Sequence, residues 1–227
     1  MSSKDITVVL VHGAWADGSS WARVIQGLHA EGHAAVAAQL PLTSFEDDVA
    51  ALDRTVRRIG GPVVLAGHAY AGAVIGAARA DSLKALVYVA ALAPDEGESV
   101  ADVFYRTAPH PSAPALAPDA DGLIWMPDDA FGRAVAPEAP DDDLAVLTAA
   151  QKPIAVAAIT FPVGRPRWRD TPTWYLVAEH DRMILADNQR FMAGRMGARQ
   201  VAHPVDHTPQ LARPDLVTNL IREAIHG

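Results

Sequence analysis

The feature that most narrows the fold is a rhythm of short apolar runs separated by stretches with helical spacing. Ile6–Val11, Ala34–Ala38, Pro62–Ala66 and Ala85–Leu92 are apolar almost throughout, with no in–out alternation. A strand with one wet face alternates; a strand apolar at every position is covered on both faces. Between these runs lie helical patterns. Trp21, Val24, Ile25 and Leu28 share one face of Trp21–Ala30, with Ser20 expected as its N-cap and Gly32 as its stop. Ser44, with Asp47 three residues on, resembles a capping box before the face Val49, Leu52, Val56, Ile59, and Gly60-Gly61 closes that helix. A helix rich in small residues is expected over Ala71–Ala80. Strands alternating with helices predict an α/β fold, a mostly parallel sheet with helices on both faces.

The rhythm breaks over residues 93–172, which hold 12 of the 17 prolines. It then resumes with a strand at Thr173–Ala178, a helix at Asp187–Met196, a strand at Arg199–Ala202 and a C-terminal helix at Pro214–Ile225. Because the chain returns to the first pattern, residues 1–227 read as one domain with 93–172 inserted as a small cap. A chain of 227 residues fits one domain and should bury roughly 70–75% of its unfolded surface. A dinucleotide-binding sheet reads similarly. However, His12-Gly13-Ala14-Trp15-Ala16-Asp17-Gly18 stands where its glycine fingerprint would follow the first strand.

Composition removes several classes of function. A formal charge of −8 leaves nothing to neutralise phosphates, so neither nucleic acid nor an anionic membrane surface is an expected partner. No apolar run approaches the roughly 18 residues of a membrane span. Met1-Ser2-Ser3-Lys4-Asp5 leads straight into Ile6 without a secretory segment, so the expected location is the cytoplasm. There is no cysteine, hence no thiol nucleophile and no thiolate metal site. His203 and His207 have the i, i+4 spacing of metal ligands on a helix, but Pro204 between them argues for a loop. No metal and no cofactor are expected.

The chemistry concentrates in Val63-Val64-Leu65-Ala66-Gly67-His68-Ala69-Tyr70-Ala71-Gly72, a strand, a sharp turn and a small-residue helix. This is the context of a nucleophile elbow, where strand and helix pass so closely that the residues two before and two after the apex must be small. Gly67 and Ala71 meet that need; the apex, where serine is expected, is Ala69. Three more segments occur in order: Val9-Leu10-Val11-His12-Gly13-Ala14-Trp15, Glu179-His180-Asp181-Arg182 and Asp206-His207-Thr208-Pro209. Together the four segments resemble the α/β-hydrolase superfamily. Within it they are similar to the small branch of plant methylesterases, hydroxynitrile lyases and related bacterial esterases. The resemblance covers essentially the whole chain, with 93–172 corresponding to the cap.

The resemblance implies ester hydrolysis and a set of roles. His207 corresponds to the general base, and imidazole has the near-neutral pKa the role needs. Asp181 corresponds to the acid that orients it. The backbone N–H groups of Ala14 and Tyr70 correspond to the oxyanion hole. Ala69 departs from the pattern at the one atom that forms an acyl-enzyme. Three readings stay open: a serine deliberately exchanged to trap a substrate complex, a natural protein using the His–Asp pair for hydrolytic or for lyase- or isomerase-type chemistry, and a ligand-binding protein. Trp15, Phe104, Tyr105 and Trp125 either line an apolar pocket under the cap or simply pack the cap onto the sheet. His12 and His68 read as structural, His180 as outward-facing, and Asp141–Asp143 as a solvated helix start. The expected ligand is a small, neutral carbonyl compound, and the resemblance leaves a homodimer open.

Overall fold

Every strand of the main sheet is parallel to its neighbours, and the alternate residues of each feed two separate cores. The computed structural model describes residues 5–227. The reading of Met1-Ser2-Ser3-Lys4 as a start without a secretory segment lies outside the described residues. In chain order the elements are β1 Thr7–Val11, α1 Ala22–Ala30, β2 Ala34–Ala38, α2 Phe45–Ile59, β3 Val63–His68, α3 Ala71–Gly76 and β4 Leu83–Val89. There follow α4 Val100–Phe104, β5 Leu123–Ile124, α5 Asp128–Ala130, α6 Asp141–Ala149, β6 Ile154–Ala155 and α7 Val156–Thr160. The chain closes with β7 Thr173–Ala178, α8 Ala186–Arg195, β8 Arg199–His203, α9 Pro209–Ala212 and α10 Pro214–His226. The six-stranded sheet runs β2-β1-β3-β4-β7-β8. This is the expected α/β-hydrolase architecture.

The period of two explains why the strands lack polar positions. Val9 and Val11, Leu65, Leu86 and Tyr88, and Tyr175 and Val177 face one core, against α2, α3 and α8. Val8, Leu10, Val64, Val87, Trp174 and Leu176 face the other, against α1 and α10. With both faces covered, each fully buried Val or Leu side chain contributes about 1.5–3 kcal/mol. The helix between β2 and β3 is held at both ends. The Ser44 side chain accepts the Asp47 N–H, the first turn carries Glu46, Asp47 and Asp48, and the chain leaves at Gly60 with φ 68°.

Strand order reverses between β1 and β3, because the chain first moves outward to β2 and then returns to the other side of β1. The crevice beyond the carboxyl ends of strands at such a reversal is where open α/β sheets bind ligands. β4 pairs directly with β7, Leu86 opposite Thr173, so residues 90–172 leave the sheet and come back to it. Among the described residues no helix is long and apolar enough to cross a membrane.

Three local expectations are corrected. The cap of the first helical segment is Asp17, whose side chain accepts the Ser19 N–H. Ser20 instead lies inside a 3-10 turn, Gly18–Trp21. The small-residue helix ends at Gly76 rather than Ala80. The fourth strand ends at Val89 rather than Leu92, because Ala90 turns into the left-handed region with φ 45°.

A Cβ added to Gly72 would stand 2.8 Å from Ala91 Cβ and closer still to the Leu92 carbonyl oxygen. Gly72→Ala should therefore cost about 2–3 kcal/mol of stability, the range for overpacking a rigid site. Urea unfolding midpoints of the two proteins would measure it, and an unchanged midpoint would refute the close approach.

Candidate active site

The elbow forms where β3 runs into α3. Ala69 sits at φ 50°, a left-handed conformation that costs an L-residue roughly 1–2 kcal/mol. Its backbone is tied on both sides: its N–H donates to Val89 O (3.3 Å) and its carbonyl accepts from Leu92 N (2.9 Å) and Gly72 N (3.1 Å). A Cβ on Gly67 would be 2.8 Å from Ala71 O, which is why the residue two before the apex is glycine. Trp15 (φ 58°), Ala69 and Ala90 put left-handed turns just beyond β1, β3 and β4.

Asp181 and His207 follow β7 and β8 and meet, with His207 Nδ1 2.8 Å from Asp181 Oδ2. A carboxylate can only accept, so Nδ1 carries the proton and Nε2 is left as an acceptor. The carboxylate is saturated before any ligand arrives. Oδ1 takes the N–H groups of Met183 (2.7 Å) and Ile184 (2.8 Å), and Oδ2 also takes Gln189 Nε2 (2.8 Å). Asp206 shapes the histidine loop from behind. Its Oδ1 accepts Thr208 N and Oγ1, and its Oδ2 accepts Glu138 N from the segment between β6 and β4's far end.

His207, Ala69, Ala14 and Tyr70 border one cavity of about 90 Å³, together with Trp15, Phe104 and Tyr105. Among the described residues neither the Ala14 nor the Tyr70 N–H donates to a protein acceptor, whereas Trp15 N donates to Lys152 O and Ala69 N to Val89 O. Trp15 also reaches across to hold the inserted segment, its Nε1 donating to Ile124 O at 2.9 Å. Trp125 is not brought to the cavity. Its neighbour Ile124 faces in, so strand alternation turns Trp125 outward, where it is 47% exposed and donates to Asp119. Tyr105 stands at the rim, 54% exposed and edge-on to Phe104.

Residues 8–220 match the alpha/beta hydrolase family model. The chain belongs to this family. Alpha/beta hydrolase nvfD of Aspergillus novofumigatus is 26% identical, covering 96% of this chain and 95% of that protein. A pyrethroid hydrolase from Sphingobium faniae superposes with a TM-score of 0.85 at 19% identity, covering 98% of both chains. The methylesterase MES16 from Arabidopsis superposes at 0.79 and 16%, covering 97% of this chain and 99% of that one. At such identities the structural likeness shows the fold.

In this alpha/beta hydrolase the two histidines beside the elbow are uncharged parts of the scaffold. His68 Nε2–H donates to the His207 carbonyl at 2.7 Å, with the two rings 4.7 Å apart. Burial, and then repulsion from His207, push its pKa down to about 3. His12 bonds Gly13 O and accepts Leu40 N, and burial pushes it down to about 4. Several residues went unnoticed in the sequence. Ser20, Thr208 and Gln210 line the cavity, and Tyr70 O–H donates to buried Asp48 at 2.6 Å, which also accepts Leu42 N. Burial raises the Asp48 pKa against those bonds. Capping signals on α2 masked Asp48, since it stands in a first turn where acids are ordinary.

Both imidazoles titrate near 6.5 when unfolded and far lower when folded. Above pH 6.5 they contribute no pH dependence. Below it the unfolded chain binds protons that the folded chain refuses, so stability falls with falling pH, down to about pH 4 for His12 and about pH 3 for His68. Within the window each contributes a slope of about 1 kcal/mol per pH unit. His68→Gln, which can still donate to the His207 carbonyl, should remove one share of that slope in urea titrations at pH 7 and pH 5. Equal slopes in the two proteins would refute the assignment.

Proposed function

We propose that this chain is a general-base catalyst acting on the carbonyl of a small, uncharged ester or lactone, without an acyl-enzyme. The reading rests above all on one observation: His207, held at Nδ1 by the buried Asp181 carboxylate, borders the same cavity as a methyl group at the elbow. His207 Nε2 takes a proton, Asp181 stabilises the imidazolium that forms, and the N–H groups of Ala14 and Tyr70 receive the oxyanion. Residues 93–172 act as the cap. The ester class is supported by the family and by the names of the similar structures, a methylesterase and a pyrethroid hydrolase. Among the described residues no Asp, Glu, Lys or Arg lines the cavity, which favours an uncharged ligand because an unpaired buried charge is costly. The codon at position 69 of the parent gene decides whether the alanine was inherited or installed.

Ala69→Ser should create hydrolysis of small acetate and methyl esters, by at least about 10³-fold over the unmodified chain, since removing such a nucleophile typically costs on the order of 10⁶. Adding His207→Ala should abolish the gain. A folded Ala69→Ser protein that stays silent would overturn the assignment of the site. For the unmodified chain, ligand turnover that survives His207→Ala would overturn the base, and binding without any turnover would favour the ligand-binding reading.

A further inference from the structure

We propose that the hydroxyl missing from position 69 is supplied by the ligand, so that the site catalyses intramolecular acyl transfer within a hydroxy ester, forming a lactone. This rests on the base-catalyst reading above and adds the nucleophile to it.

The polar groups around the cavity point to such a ligand. Four of the side-chain donors around it are already committed. Ser20 Oγ donates to Asp17 O (2.7 Å), Thr208 Oγ1 to Asp206 (3.0 Å), Tyr70 O–H to Asp48 and Trp15 Nε1 to Ile124 O. What Ser20 and Thr208 still offer a ligand is lone pairs. Gln210, 1% exposed and lining the cavity, has a buried Oε1 with no partner, and His207 Nε2 is an acceptor. A buried acceptor without a donor is a costly arrangement that a ligand O–H relieves. The N–H groups of Ala14 and Tyr70 are the complementary donors for a carbonyl. The ligand that satisfies both sets carries a carbonyl and at least one hydroxyl.

Position 69 then decides what the hydroxyl does. An alanine methyl leaves the space beside His207 for an oxygen from elsewhere. A free water there has His207 Nε2 and the Ala14 and Tyr70 N–H groups as partners, but nothing ties it to the reacting carbon. A hydroxyl tethered to the reacting carbonyl is held by its own chain, and such tethering reaches effective concentrations on the order of 10⁵–10⁸ M. The hydroxyl oxygen bonds to the ester carbonyl carbon as its proton passes to His207 Nε2. The oxyanion sits on the Ala14 and Tyr70 N–H groups. Collapse breaks the bond to the alkoxy group, which leaves with the proton from His207. Lactone and alcohol form, and no water, oxidant or reductant is consumed.

The test pairs methyl ortho-(hydroxymethyl)benzoate with methyl ortho-methylbenzoate, which lacks the hydroxyl, in water enriched in heavy oxygen. The unmodified protein should convert the first to the lactone at least about 10²-fold faster than buffer, leave the second intact, and lose its effect in His207→Ala. Gln210→Leu removes an unpartnered buried acceptor, so it should fold at least as well and raise KM for the hydroxy ester about tenfold with little change in kcat. Consumption of both esters alike, with heavy oxygen in the acid, would make water the nucleophile; the proposal would fall and the base reading stand. A hydroxy ester converted no faster than in buffer, while Ala69→Ser hydrolyses the plain ester, would overturn the proposal with the pocket intact. If Ala69→Ser is also silent, both readings fall.

Discussion

The structure turns on how closely three segments meet at Ala69. β3, α3 and the loop after β4 converge there, and the turn carbonyl accepts N–H groups from both Gly72 and Leu92. Nothing larger than hydrogen fits at Gly67 or Gly72 without moving backbone. The loop after β4 is fixed in turn by Tyr175, whose hydroxyl bonds both the N–H and the carbonyl of Ala91. Because Tyr175 belongs to β7, the strand reached only after the inserted segment, the elbow's shape depends on the chain having returned to the sheet. The parallel order of the sheet and the geometry of the site are therefore one constraint.

Burial of charge follows a consistent pattern around that point. Asp181 and Asp48 lie in the interior with donors on both oxygens. His12 and His68 lie nearby and are kept neutral by desolvation. Under the proposed base reading, a second cation beside His207 would oppose the imidazolium, and a His68 that stays neutral near neutral pH adds none. The same residue holds the His207 carbonyl. One imidazole thus fixes the backbone of the other without competing with it for a proton.

Much of this was legible in the chain itself, and the reason is local. Strands buried on both faces must be apolar throughout, and an elbow must have small residues around it; both rules act within a few positions. The order of Asp181 and His207 after late strands was readable for the same reason, though their contact spans 26 residues. What escaped were residues defined by partners far away. Asp48 matters because Tyr70 and Leu42 point at it, and Gln210 because nothing does. Trp125 shows the converse. Its size suggested a pocket, but in a two-residue strand the neighbour Ile124 took the inward place. Alternation is decided by register, which the short β5–β6 pair sets, Ile124 facing Ile154 across 30 residues of chain.

An alanine at position 69 leaves the rest of the proposed site formed. A left-handed alanine is strained, and a glycine there would relieve the strain. The alanine nevertheless keeps a Cβ in the place from which a serine hydroxyl would project, and the turn it occupies orients the N–H of Tyr70. The N–H groups of Ala14 and Tyr70 depend on backbone conformation, not on the apex side chain. The orientation of His207 depends on Asp181 and the loop behind it, also not on the apex. With alanine at the apex, the unpaired N–H groups of Ala14 and Tyr70 and the Asp181–His207 pair are therefore both formed without an apex hydroxyl. Under the proposed reading, the nucleophilic atom between them comes from the ligand.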